Sequence, residues 1–357
     1  MTHPTTFIPG CKPDGTPIIS VLAKFTYAFA PGEVKAADRQ LPLVEADVPD
    51  DPQNPLGAEV LAESDLVAFK PFTDVVVTGA ACAPAGRKAY HLDCSAKVGD
   101  LQKTVRVHGP RSARRRMFGK LALSDPQPFE MQELGYRHAY GGITRTKGGA
   151  FVSYYPNSIG QGFALKGGLR HNGALPAVPH IEDPSSPVTG EAMVLPRFDA
   201  WTKGPQPASL GWTRRDAHPR YTLAGVLPEF MPAAEQSLAE MSKTQAQFTG
   251  MAVPAMDFRF YQGASQGLWG GPLRGDEPVR LCFLDPDHPT QEFALPGERP
   301  TLTLDIGDGP RELEPVLQTV VIMTKEKLLT MLWRGSLEYG GIEVIGELEK
   351  IEARSEE

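Results

Sequence analysis

The chain alternates short apolar runs with turn-forming clusters, and most runs are too short and too β-branched for helices. The longest, residues 18–29, reads Ile-Ile-Ser-Val-Leu-Ala-Lys-Phe-Thr-Tyr-Ala-Phe and stops at Pro31-Gly32. Such residues fit a pleated, buried backbone, so this run is a strand. Strand-like runs recur at 66–69, 73–78, 88–95 and 104–108, then at 257–262, 279–284, 301–305, 317–323 and 328–333. The segments 307–309 and 324–327 have the length and composition of hairpin turns between the last pairs. This pattern predicts a mainly β fold: two β-sandwich-like lobes joined by long Gly/Pro-rich ordered loops, with one or two short helices.

Three stretches break the rhythm. Residues 38–57 hold four prolines among acidic residues, which cannot ladder or coil regularly, and read as an exposed loop. Residues 124–220 are punctuated by paired glycines at 141–142, 148–149 and 167–168 and read as ordered loop. Residues 232–248 are rich in helix formers and open on Pro232, a first-turn residue, which predicts a helix. The division is then an N-terminal β lobe at 1–125, a loop-rich middle at 126–250, a C-terminal β lobe at 251–345 packed with the rest, and a tail at 346–357.

Composition sharpens this. With 36 glycines and 34 prolines the chain is not mostly helical, while 41% hydrophobic residues exclude a disordered chain. A net charge of −7 excludes the global electrostatic footprint of a nucleic-acid binder. Cys11, Cys82, Cys94 and Cys282 form no C-x-x-C pair and read as reduced thiols. The N-terminus lacks a basic and an apolar region, and no apolar run approaches a membrane span, so the expected location is the cytoplasm, with no membrane partner.

Gly263-Ala-Ser265-Gln-Gly267 matches G-x-S-x-G, with Asp285, Asp287 and His288 downstream in hydrolase order. A nucleophile elbow needs a strand before the serine and a helix after it. The 257–262 run supplies the strand, but Gly270-Gly-Pro272 forbids the helix, which leaves a serine hydrolase as the alternative to a Gly-rich turn. In His91-Leu-Asp93-Cys94 a strand puts 91 and 93 on one face and 94 on the other, so no metal site is expected. His108, His138, His171 and His180 show no paired spacing and read as turn or surface residues. Gly160-Gln-Gly162 lacks the third glycine of a dinucleotide fingerprint, and no cofactor is expected. The basic cluster Arg111, Arg114, Arg115, Arg116 reads as a solvated face or a contact for an acidic partner. Aromatics beside turns, among them Tyr136, Tyr140, Tyr154, Tyr155, Phe163, Trp201, Trp212 and Trp269, suit interface anchors and core fillers equally.

Several strings, in order, carry a family likeness over residues 15–335: Val-His-Gly-Pro-Arg at 107–111, Tyr-Arg-His-Ala-Tyr-Gly-Gly at 136–142, Tyr-Pro-Asn-Ser-Ile-Gly-Gln-Gly-Phe at 155–163, Trp-Thr-Arg-Arg at 212–215, Asp-Phe-Arg-Phe-Tyr at 257–261, Leu-Arg-Gly-Asp-Glu at 273–277 and Leu-Trp-Arg at 332–334. Together they resemble a bacterial family of uncharacterised-function proteins encoded beside type VI secretion effectors. That resemblance implies an effector adaptor or chaperone, not an enzyme, which binds a PAAR-like effector and assists loading onto the secretion spike. The chain departs from the pattern at Pro110, Ser158 and 262–267, the last of which argues against Ser265 as a family nucleophile. Recognition usually lives on loops set on a rigid scaffold. The expected protein-binding residues are therefore Arg111, Tyr136, Tyr140, Gly141, Gly142, Tyr155, Asn157, Gly160, Gly162, Phe163 and Trp212.

Overall fold

In the computed structural model, which describes residues 3–116, 120–167, 174–224, 256–307, 309–339 and 352–356, the 18–29 run lies within the longest strand, Pro17–Ala30. It pairs on one side with Thr5–Cys11 and on the other with Leu328–Glu338, from Ile18↔Glu338 to Ala28↔Leu328. The sheet continues through Val316–Met323 and Thr73–Thr78 to Trp269–Gly270, and Glu33–Ala36 folds back on Pro17–Ala30. The 73–78 and 316–323 strands run parallel to each other. A second, antiparallel sheet orders Ile181–Glu182, Leu101–His108, His91–Val98, Pro278–Cys282 and Thr290–Ala294. The fold is mainly β.

The 17–30 strand is apolar almost without alternation because both of its faces are covered. Ile19, Val21, Ala23, Phe25, Tyr27 and Phe29 join one core with Cys94, Ala96, Val105 and Leu281 of the second sheet. The opposite face carries Ser20, Lys24 and Thr26. Ser20 Oγ donates to the Ala68 carbonyl at 2.7 Å, Lys24 Nζ meets Asp65 Oδ2 at 2.8 Å, and the Leu41 N–H donates to Thr26 Oγ1 at 2.9 Å. The 38–57 loop is largely exposed, as its prolines predict, but it does ladder briefly, Val48–Pro49 pairing with Val60–Ala62, while Leu41 and Asp65 at its two roots bind the sheet. Residues 1–125 and 251–345 contribute strands to both large sheets, so the two segments interleave rather than stand as separate sheets.

Some elements differ from expectation. Among the described residues no strand pairs with 66–69; they cross the sheet, and side chains satisfy their backbone, as when Gln318 Nε2 donates to the Val67 carbonyl at 3.2 Å. Residues 257–262 are not a strand, because Asp257 Oδ1 accepts the Arg259 N–H at 2.9 Å and caps a 3-10 turn, Phe258–Tyr261. The strand expected at 88–95 is shifted to His91–Val98. The helix expected at 232–248 lies outside the described residues. Among the described residues no helix is long and apolar enough to cross a membrane.

Candidate functional site

The 136–142 and 155–163 strings meet in the middle of the chain, and Asn157 clasps them. Its Nδ2 donates to the Tyr136 carbonyl at 2.7 Å and to the Tyr140 carbonyl at 3.1 Å, and its own carbonyl accepts the Gly142 N–H at 2.8 Å. Tyr140–Gly141 and Gln161–Gly162 then pair in parallel. Gly142 has φ +99°, and a Cβ there would lie 2.3 Å from the Gly160 carbonyl oxygen, so only glycine lets the strings approach this closely.

Beneath this crossing is a second core. Tyr140 and Tyr154 are fully buried, with ring centroids 4.8 Å apart and edge-on, and Phe163 packs 5.4 Å from Tyr154. Each hydroxyl has a backbone partner: Tyr140 donates to the Met193 carbonyl at 3.1 Å, and Tyr154 lies 3.0 Å from the carbonyls of Trp201 and Pro205. Burial pushes both phenols above their ordinary range. Tyr155 packs half-buried against this core. Tyr136 and Trp212 are buried in the main core. Tyr136, Tyr140, Asn157, Phe163 and Trp212 therefore support the loops from within rather than meeting solvent, because aromatic rings beside tight glycine turns fill the space that those turns leave.

Arg111 is also turned inward. Its guanidinium donates to the Pro179 carbonyl at 2.7 Å and lies 3.7 Å from Glu182, which is held by His108 Nε2 at 2.8 Å and by the Val188 N–H. Burial raises the Glu182 carboxyl, but these partners outweigh it and leave the group below its ordinary value. Arg114, Arg115 and Arg116 are exposed.

The buried Gly141, Gly142 and Gly162 and the half-buried Gly160 lie at the base of a groove of about 620 Å3, packed against the protein's own backbone rather than turned to solvent. Its wall is a small hairpin, Ile143–Arg145 paired with Phe151–Ser153, within the stretch that the glycine pairs predict as loop. Ile143 and Phe151 are 64% and 65% exposed, unusual for large apolar side chains facing a concavity. The one signal for the hairpin in the sequence is the Ile-Thr-Arg alternation ahead of Lys147-Gly-Gly149, a turn flanked by short strand-like triplets.

A family described as "Uncharacterized protein conserved in bacteria (DUF2169)" matches residues 14–334. The chain belongs to that family. No curated protein and no solved structure matches it.

The DUF2169 match spans both strings, the groove and the G-x-S-x-G turn. Ser265 is fully buried; its Oγ donates to the Gly211 carbonyl at 3.1 Å and lies 2.9 Å from the Tyr136 hydroxyl. His288 Nδ1 instead sits 3.5 Å from Asp285, whose Oδ2 also binds Gln291 and Lys327. The structure thus does not bring Ser265 into one hydrogen-bonded set with Asp285 and His288, and a 3-10 turn stands where an elbow needs its strand. Cys94 points into the core and its thiol is pushed above its ordinary range by burial, while Asp93 on the outer face pairs with Arg106 at 2.7 Å. Among the described residues no group of three or more His, Cys, Asp or Glu could hold a metal ion.

Proposed function

We propose that the protein is a cytoplasmic adaptor that binds an effector carrying a PAAR-like domain and assists its loading onto the type VI secretion spike. One observation carries the reading: strings bearing the family likeness, 136–142 and 155–163, converge to build one groove flanked by exposed apolar side chains. The buried aromatics and the close-packed glycines fix the loops, which suits a preformed docking surface on a rigid scaffold. The partner then contacts Ile143 and Phe151, and Arg111 acts by holding the 179–182 segment in place.

Co-expression tests this. A PAAR-like effector encoded beside this gene should be soluble and secreted only when the protein is present, and should co-purify with it in fixed stoichiometry. An effector that is soluble and secreted equally well without the protein removes the reading.

A further inference from the structure

We propose that the groove takes an extended segment of a partner protein in which an apolar side chain is flanked by carboxylates. The inference rests on the protein-binding reading above and adds the chemistry of the bound segment.

Register sets the apolar part. Ile143 lies opposite Ser153 and Arg145 opposite Phe151, so all four side chains share one face of the hairpin, and the Arg145 guanidinium stacks 4.4 Å from the centre of the Phe151 ring. Charge sets the flanks. Among the described residues the ionisable side chains lining the groove are Arg145 and Lys147, with no carboxylate, in a chain whose acidic residues outnumber its basic ones by 43 to 36. A local positive field on an acidic protein steers an acidic ligand and rejects a basic one. Backbone sets the extension. Among the described residues no third strand pairs with the hairpin, so it offers open edges to an added strand.

The test uses fluorescently labelled synthetic peptides: one alternating Glu with Leu and Val, and its counterpart with Lys for every Glu. Anisotropy with the full chain should show binding of the acidic peptide, weakening as salt is added. Hydrogen exchange should slow at 141–146 and 151–153. Arg145→Glu with Lys147→Glu should weaken the acidic peptide about tenfold or more and admit the basic one. Ile143→Ser with Phe151→Ser should abolish binding without moving the unfolding midpoint, because both side chains are exposed. Equal binding of both peptides, protection elsewhere, or protection of these segments by raised protein concentration alone would overturn the assignment, the last in favour of a second copy. If effector solubility depends on the protein equally in the wild type and in the Arg145→Glu, Lys147→Glu variant, the groove assignment falls and the adaptor reading stands. If the effector is indifferent to the protein, the adaptor reading falls, and the groove assignment is decided by the two peptides alone.

Discussion

Tyr140 separates a supporting role from a contact role, because the two make opposite demands on stability. The side chain is fully buried, its ring meets Tyr154 edge-on at 4.8 Å, and its hydroxyl donates to the Met193 carbonyl. Truncating a buried aromatic to alanine costs about 3–5 kcal/mol, and losing the aromatic pair adds about 0.5–1.5. Tyr140→Ala should therefore destabilise by about 4–6 kcal/mol. With a urea m-value of about 3 kcal/mol/M the unfolding midpoint falls by roughly 1–2 M. Tyr140→Phe keeps the ring and removes one hydrogen bond. The Met193 carbonyl retains the Ala164 N–H at 3.1 Å, so no buried acceptor is orphaned, and the loss should be only about 0.5–1 kcal/mol. Urea unfolding followed by fluorescence reads both variants. A Tyr140→Ala protein with the wild-type midpoint would refute the supporting role, since only an exposed ring can be removed without loss.

Glu59 is predicted to make stability fall as pH rises. Burial pushes its carboxyl up from 4.5 to about 7, against the Tyr136 N–H and Arg137, so between those values the folded chain holds a proton that the unfolded chain has released. This contribution is fully present below pH 4.5 and is lost as pH rises through 7, and Glu59→Gln should flatten that slope and raise stability at pH 8 by about 3 kcal/mol; equal slopes in urea titrations would contradict it. Gly142→Ala forces a side chain into φ +99° and against the Gly160 carbonyl, and should cost about 1–3 kcal/mol or more while speeding hydrogen exchange at 160–162; unchanged exchange would count against the clasp. Ser265→Ala should lose about 1–3 kcal/mol because it strips partners from Tyr136 and Gly211, and a fluorophosphonate probe should leave native Ser265 unlabelled; labelling there would revive the hydrolase alternative.

Local signals are legible wherever one segment determines its own state. The strands at 73–78 and 301–305 have the bounds that the sequence predicts, because β-branched residues bounded by turn formers leave little choice. Residues 66–69 show the limit: Leu-Val-Ala-Phe suits a strand, but whether it pairs with a neighbour or crosses a sheet depends on Ser20 and Gln318, which are distant in sequence. The aromatics of the middle segment are ambiguous for a related reason. A tyrosine beside Gly-Gly reads the same whether its ring lies under the turn or over it, and only Met193, Trp201 and Pro205 place it under. The groove is half legible, its glycine floor visible in the strings and its wall at 143–153 hidden by three-residue strands too short for a periodicity.

The pairing of Pro17–Ala30 with Leu328–Glu338 also sets a clock. A ribosome must add roughly 300 further residues between the two strands, which at about 5–20 residues per second takes on the order of 15–60 s. Until then one edge of the longest apolar strand has no permanent neighbour, and an unpaired apolar edge is a template for aggregation. The segment made immediately afterwards can cover one face of that strand, through the Leu41 N–H on Thr26 and, once Asp65 has emerged, through its ion pair with Lys24, while the chain waits for its last partner.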